Sequence, residues 1–226
     1  MKKRSIAMLA LAAMFMISSM GMAEDATLAA AQAKVPQGAE LWGTDDENNA
    51  VEYTFENPTT GDKYEVTVSK TSGNVLQVEQ EAYGIPGGVA VAIAEEQAQA
   101  SIADQFPNAE ILFTSLKEDD GRFTYLVIFR DVDALGVREI NAETGDLKEQ
   151  DVYYETTPGE FSAILTPAQA VEAIQAAHAG AEIQYMDLDE DHPTVQYKGK
   201  ASVNGEMYEF EFSSYGNGSI VEFERD

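Results

Sequence analysis

Hydrophobic positions along this chain of 226 residues switch repeatedly between two spacings. Leu28, Ala31 and Val35 fall on one side of a helix, as do Ala98, Ile102 and Phe106, and again Val171, Ile174 and Ala177. After each of these stretches the period shortens to two. Val51, Tyr53 and Phe55 alternate with Glu52, Thr54 and Glu56, and Tyr64, Val66 and Val68 alternate with Glu65, Thr67 and Ser69. Later, Tyr208, Phe210 and Phe212 alternate with Met207, Glu209 and Glu211. One helix followed by four antiparallel strands is predicted each time, the sheet giving one face to the helix and one to water. The third helix has the clearest start, with Thr166 as N-cap, Pro167 at the first helical position and Gln169 placed to complete a capping box. Short polar turns such as TDDENN, NPTTGD, KEDDGR and ETGD join the strands.

The alternation recurs at a fixed interval. The stretches PQGAEL, FPNAEI and HAGAEI share an Ala-Glu-apolar core, and Ala39, Ala109 and Ala181 stand 70 and 72 residues apart. The turn glycines Gly73, Gly145 and Gly218 are 72 and 73 apart. Two independent landmarks therefore keep one period, too long for a typical solenoid repeat and suited to a small domain. The expected fold is α+β: three tandem small domains over residues 24–82, 92–155 and 164–226, each a helix on a roughly four-stranded antiparallel sheet. The linkers YGIPGG and TTPGEF, where Gly and Pro stop both patterns, separate them.

The first residues add a compartment. Lys2, Lys3 and Arg4 precede the apolar run Ile6 to Ile17, and the small residues Gly21 and Ala23 follow. That order reads as a signal peptide over residues 1–23, cut near Ala23, and the apolar run is too short to span a bilayer comfortably. The expected location is extracytoplasmic, secreted or in the cell envelope, without stable membrane insertion. Losing those three cations takes the net charge from −26 to −29. So acidic a surface repels phosphate backbones, which argues against a nucleic-acid partner. The 44% of hydrophobic residues argues for a packed core. There is no cysteine, hence no disulfide, thiolate nucleophile or cysteine-linked lipid.

A helix ending in a short turn, then Ala-Glu-apolar, then a meander reading YEVTVSKTSGNVLQVE or VREINAETGDLKEQ, resembles the PepSY domain family. The resemblance covers the chain after residue 23, once per repeat, and departs in the third copy, where YGNGSI replaces the Thr-Gly of ETGDL. It implies a non-enzymatic module of secreted metallopeptidase propeptides and bacterial envelope proteins, one that restrains peptidases or binds other proteins. The roughly 200 residues here leave no room for the catalytic domain that such propeptides precede.

The candidate chemistry is sparse. His178 lies at the end of the third helix and His192 in the stretch DEDHP. His-Glu-x-x-His and Gly-x-Ser-x-Gly are both missing, and GIPGG and GNGS lack the lysine and strand-to-helix setting of a phosphate loop. No catalytic residue, cofactor or metal ligand is assigned. Asp187-Leu188-Asp189-Glu190-Asp191 mimics the start of a calcium loop, but His192 stands where Gly is needed and Lys198 where Glu is needed. A solvated hairpin turn is expected there, with divalent-ion binding by such acidic turns as the alternative.

One strand differs from its counterparts. Phe123, Tyr125, Val127 and Phe129 line one face of it, while the other carries Leu126 and Ile128 between Arg122, Thr124 and Arg130. Three of the four arginines beyond residue 23 (Arg122, Arg130, Arg138) fall in this copy. A strand apolar on both faces is covered on both. The cover is either a neighbouring copy or a protein partner that meets Leu126 and Ile128 as centre and Arg122 and Arg130 as rim. The expected function is an exported protein-interaction module for a secreted or envelope protein such as a peptidase. The alternative, recognition of cell-wall polymer, calls for a cluster of exposed aromatics, and the chain has a single Trp, Trp42.

Overall fold

The structure, a computed structural model, describes residues 21–191 and 194–226. Most of the expected leader and His192 lie outside the described residues. The first repeat runs α1 (Gly21–Gln32), β1 (Glu40–Asp46), β2 (Ala50–Glu56), β3 (Lys63–Ser69) and β4 (Val75–Glu81). The second runs α2 (Glu95–Ala100), continued by a 3-10 turn at Ser101–Asp104, then β5 (Glu110–Asp119), β6 (Arg122–Arg130), β7 (Ala134–Asn141) and β8 (Leu147–Tyr154). The third runs α3 (Pro167–Ala177), β9 (Ala181–Asp191), β10 (Thr194–Val203), β11 (Glu206–Ser213) and β12 (Ser219–Arg225).

Local sequence accounts for the elements. The capping box of α3 is formed: Gln169 N–H donates to Thr166 Oγ1 (3.3 Å), and Gln169 Oε1 accepts the Thr166 N–H (2.8 Å). Its buried stripe is Ala170 and Ile174, whereas Ala177, in the last turn, is exposed. In the second repeat Ala98, Ile102 and Phe106 are all buried, and the Phe106 ring lies 4.8 Å from that of Phe129. Tyr53, Phe55, Tyr64, Val66 and Val68 form the first core with Ala31 of α1. The turn glycines Gly73, Gly145 and Gly218 all take positive φ, at 71°, 82° and 65°. The turn that carries Gly145 recurs between β2 and β3. Asn57 to Asp62 and Asn141 to Asp146 share N-x-x-T-G-D, and in each the Asn Oδ1 accepts two backbone N–H groups while the Thr hydroxyl donates to the Asp carboxylate.

The arrangement of the sheets departs from three separate units. The strand order β1-β2-β3-β4-β8-β7-β6-β5 makes one eight-stranded antiparallel sheet from the first two meanders, and β12-β11-β10-β9 makes a second sheet. The join is β4 against β8, from Gln77 opposite Tyr153 to Glu81 opposite Glu149. Each meander alone would leave this fourth strand with unpaired backbone groups, and pairing the two satisfies both. The second sheet lies over the outer face of β6, β7 and β8. Ile128, Leu135, Val137 and Tyr153 share one hydrophobic cluster with Ala170 and Ile174 of α3 and with Met186, Leu188 and Tyr197.

The linkers are built into this packing. The Asn141 amide donates to Pro86 O (2.8 Å), Gly88 and Phe123 exchange backbone bonds (2.9 and 2.7 Å), and Val89 N–H donates to Glu143 (3.0 Å). Farther on, Phe161 and Ile164 are buried in the shared cluster, and the Glu155 carboxylate accepts N–H groups of Gly159 and Phe161.

Candidate functional site

The four residues picked out on β6 do not form an exposed patch. Leu126 and Ile128 are both 0% exposed, and Ile128 belongs to the cluster shared with the third repeat. The apolar face is covered by a neighbouring copy, so a partner would reach these two side chains only by displacing it. Arg122 is exposed, and its Nη1 donates to Gly87 O (3.0 Å). Arg130 pairs with Glu110 (2.8 Å). The two arginines stand at opposite ends of the strand, eight residues or roughly 27 Å apart, and do not converge.

The face that the third repeat leaves open begins at the join between the first two. There a cleft of about 240 Å³ is lined by Glu79 of β4, Glu139 of β7, Glu149 and Asp151 of β8, and Asp187 and Asp189 of β9. Two lysines offset part of this charge: Lys148 bonds to Glu139, and Lys117 lies 3.6 Å from it. Burial pushes the Asp187 carboxyl up to about 6, and the Glu139 carboxylate adds to the rise, against a bond from the Leu188 N–H (2.8 Å) and the pull of Lys117. The expected hairpin turn at Asp187 to Asp191 is therefore corrected: these residues end strand β9, with Met186 and Leu188 in the core and Asp187 and Asp189 in the cleft. Period-two alternation in YMDLD carried that signal. Among the described residues no group of three or more acidic or histidine side chains is set to hold a metal ion.

Arg138, the third arginine of the second copy, is a structural centre. Its guanidinium is buried and donates to Gln150 and Gln105 side chains and to Ser101 O, tying β7 and β8 to the end of the α2 segment. Burial lowers it to about 10, so it stays charged at neutral pH. His178 is the C-cap residue of α3, and its ring stacks on Phe223 at 3.6 Å between centroids.

The sheet edges complete the surface. Ser115 Oγ accepts the Met186 N–H (3.2 Å) and so ties β5 to β9. Of the other two edges, β1 carries Trp42, 78% exposed at a bulge, and β12 carries Val221, 56% exposed.

The fold is thus an α+β assembly of antiparallel meanders built for packing and edge pairing. Residues 90–151 and 164–224, together more than half of the chain, match the PepSY family, described as the peptidase propeptide and YPEB domain. The chain belongs to the PepSY family. Among solved structures it is similar to the C-terminal domain of YpeB from Bacillus megaterium, at 11% identity over 92% of this chain and 97% of that one, with a TM-score of 0.34. It is also similar to an uncharacterized protein from Eubacterium rectale ATCC 33656, at 11% identity over 88% of this chain and 80% of that one, TM-score 0.33. A protein from Clostridium difficile 630 is 22% identical over 61% of this chain and 95% of that one, TM-score 0.33. No curated protein matches the chain.

Proposed function

We propose that this protein is an exported, non-catalytic PepSY protein that acts by binding another protein, with a secreted or envelope peptidase as the favoured partner. The observation that carries the reading is the pair of tandem PepSY units, a family whose description names peptidase propeptides. The basic, apolar and small-residue order of residues 1–23 supports export. We read residues 24–82 as a third, divergent copy of the same unit, because its four-stranded meander and glycine turn follow the same plan. The polar outer face beside the acidic cleft is the surface offered to a partner, and its charge suits a basic segment.

The test uses thermolysin as a secreted zinc metallopeptidase and a short chromogenic peptide as its substrate. The expected result is slower peptide hydrolysis as the protein is added, with the protein itself intact on a gel. Degradation of the protein with no change in peptide hydrolysis overturns the peptidase reading.

A further inference from the structure

We propose that the outer edge of β12 is a self-association surface, at which two copies of this chain pair β12 against β12 about a two-fold axis. The protein already makes this contact internally. β4 and β8 are the fourth strands of their meanders, and β12 is the fourth strand of the third. All three follow a positive-φ glycine and carry a bulge at the same place, Leu76, Lys148 and Val221, which stand 72 and 73 residues apart. The five residues after the bulge, 77–81 and 149–153, form the join between the first two copies. In that join Glu79 faces Asp151, its own counterpart 72 residues on, so the contact is isologous in form. The matching stretch of the third copy is 222–226. β12 is an outer strand of its sheet, and a second copy offers the identical edge.

The backbone directions agree. Ala82 N–H donates to Lys148 O across the join, so the even-numbered residues of both strands turn their backbone groups toward each other there and Glu79–Asp151 is the non-hydrogen-bonded centre. In the third copy Asp226 N–H donates to Met207 O, so Asp226, Glu224 and Glu222 turn inward and Phe223 and Arg225 turn outward. Placing Glu224 opposite Glu224 of a second copy sets Phe223 opposite Arg225 twice, the same parity as in the internal join. Facing carboxylates do not forbid it, since Glu79–Asp151 and Glu81–Glu149 face each other within the chain. They do make the association salt-dependent, stronger as added salt screens two acidic bodies.

The experiment introduces single cysteines into a chain that has none. A non-hydrogen-bonded antiparallel pair holds its Cα atoms about 4.5 Å apart, within disulfide reach. Under mild oxidation Glu224→Cys is expected to give a covalent dimer, and Glu222→Cys, facing Asp226 of the other copy, is not. Sedimentation of the unmodified protein should show dimers increasing with concentration and salt. Arg225→Pro removes an outward N–H from each copy at an edge that tolerates proline, and should weaken the dimer about thirty-fold, while Arg225→Ala leaves it in place. An unchanged circular dichroism spectrum confirms that either variant is folded. Monomers at all concentrations, or cross-linking at Glu222→Cys as readily as at Glu224→Cys, overturns the proposal.

Discussion

Replacing Asp187 with Asn should stabilise the protein at neutral pH and do nothing at acid pH. Asp187 is held in the cleft with Glu139 and Glu149 near it and with Lys117 and the Leu188 N–H in its favour. Its carboxyl binds a proton up to about pH 6 in the folded protein and up to about 3.8 when unfolded. Between these values the folded state carries more protons, so this residue's contribution to stability falls as pH rises through the window. Above it the penalty is complete, and the difference of the two values sets it at no more than about 3 kcal/mol. Asn keeps an oxygen for the Leu188 N–H and carries no charge to desolvate. For a chain of this size each kcal/mol shifts Tm by about 2–4 °C, so a gain of several degrees is expected near neutral pH. The assay is thermal or urea unfolding of both proteins at about pH 7.5 and about pH 4. An equal difference at both pH values, or a loss of stability at the higher one, would refute the reasoning.

Other outcomes follow from the packing. Leu126→Ser with Ile128→Ser removes two fully buried side chains at about 2–5 kcal/mol each and should unfold the protein by circular dichroism; a folded double variant would mean that this face is not interior. Arg138→Ala takes the donor away from Gln150 Oε1 and the Ser101 carbonyl, leaving Gln105 and Gln150 only their bond to each other, and should cost about 3 kcal/mol in urea unfolding, with an unchanged midpoint counting against the network. Limited proteolysis should spare residues 86–93 despite their glycines, because their backbone is bonded to Asn141, Ala142, Phe123 and Glu143; a first cut there would refute this.

Period-two patterning made the strand faces legible, since Tyr53, Phe55, Val66, Val127, Phe129 and Phe210 are buried where alternation placed them. The cap of α3 was equally legible, being a local hydrogen-bond pattern. The join of β4 to β8 was not. Its residues include Gln77, Glu79, Gln150 and Asp151, and edge pairing through the backbone leaves no mark on side-chain hydrophobicity. Arg138 could have been found, because it alternates with Gly136 and Ile140 on a core-facing row where a charge needs partners. That Leu126 and Ile128 would be covered was readable from a strand apolar on both faces. What covers them was a question of tertiary contact between copies.

The cleft has its origin in the difference between two copies of one sheet face. Ile128 opposite Val137, with Leu126 and Leu135 beside them, gives the second copy an apolar outer face. The same places in the first copy hold Thr54 opposite Glu65, with Glu52 and Lys63 beside them. Burying the apolar set gains roughly 25 cal/mol for each Å² removed from water, whereas burying the charged set would cost several kcal/mol per unpaired ion. The third repeat therefore covers the second copy and stops at the join between them. The carboxylates of Glu79, Glu149 and Asp151 stand along that boundary, and Asp187 of the covering sheet is carried in against them. An acidic recess at the edge of the cover follows directly from putting an apolar and a polar copy of the same face side by side in one sheet.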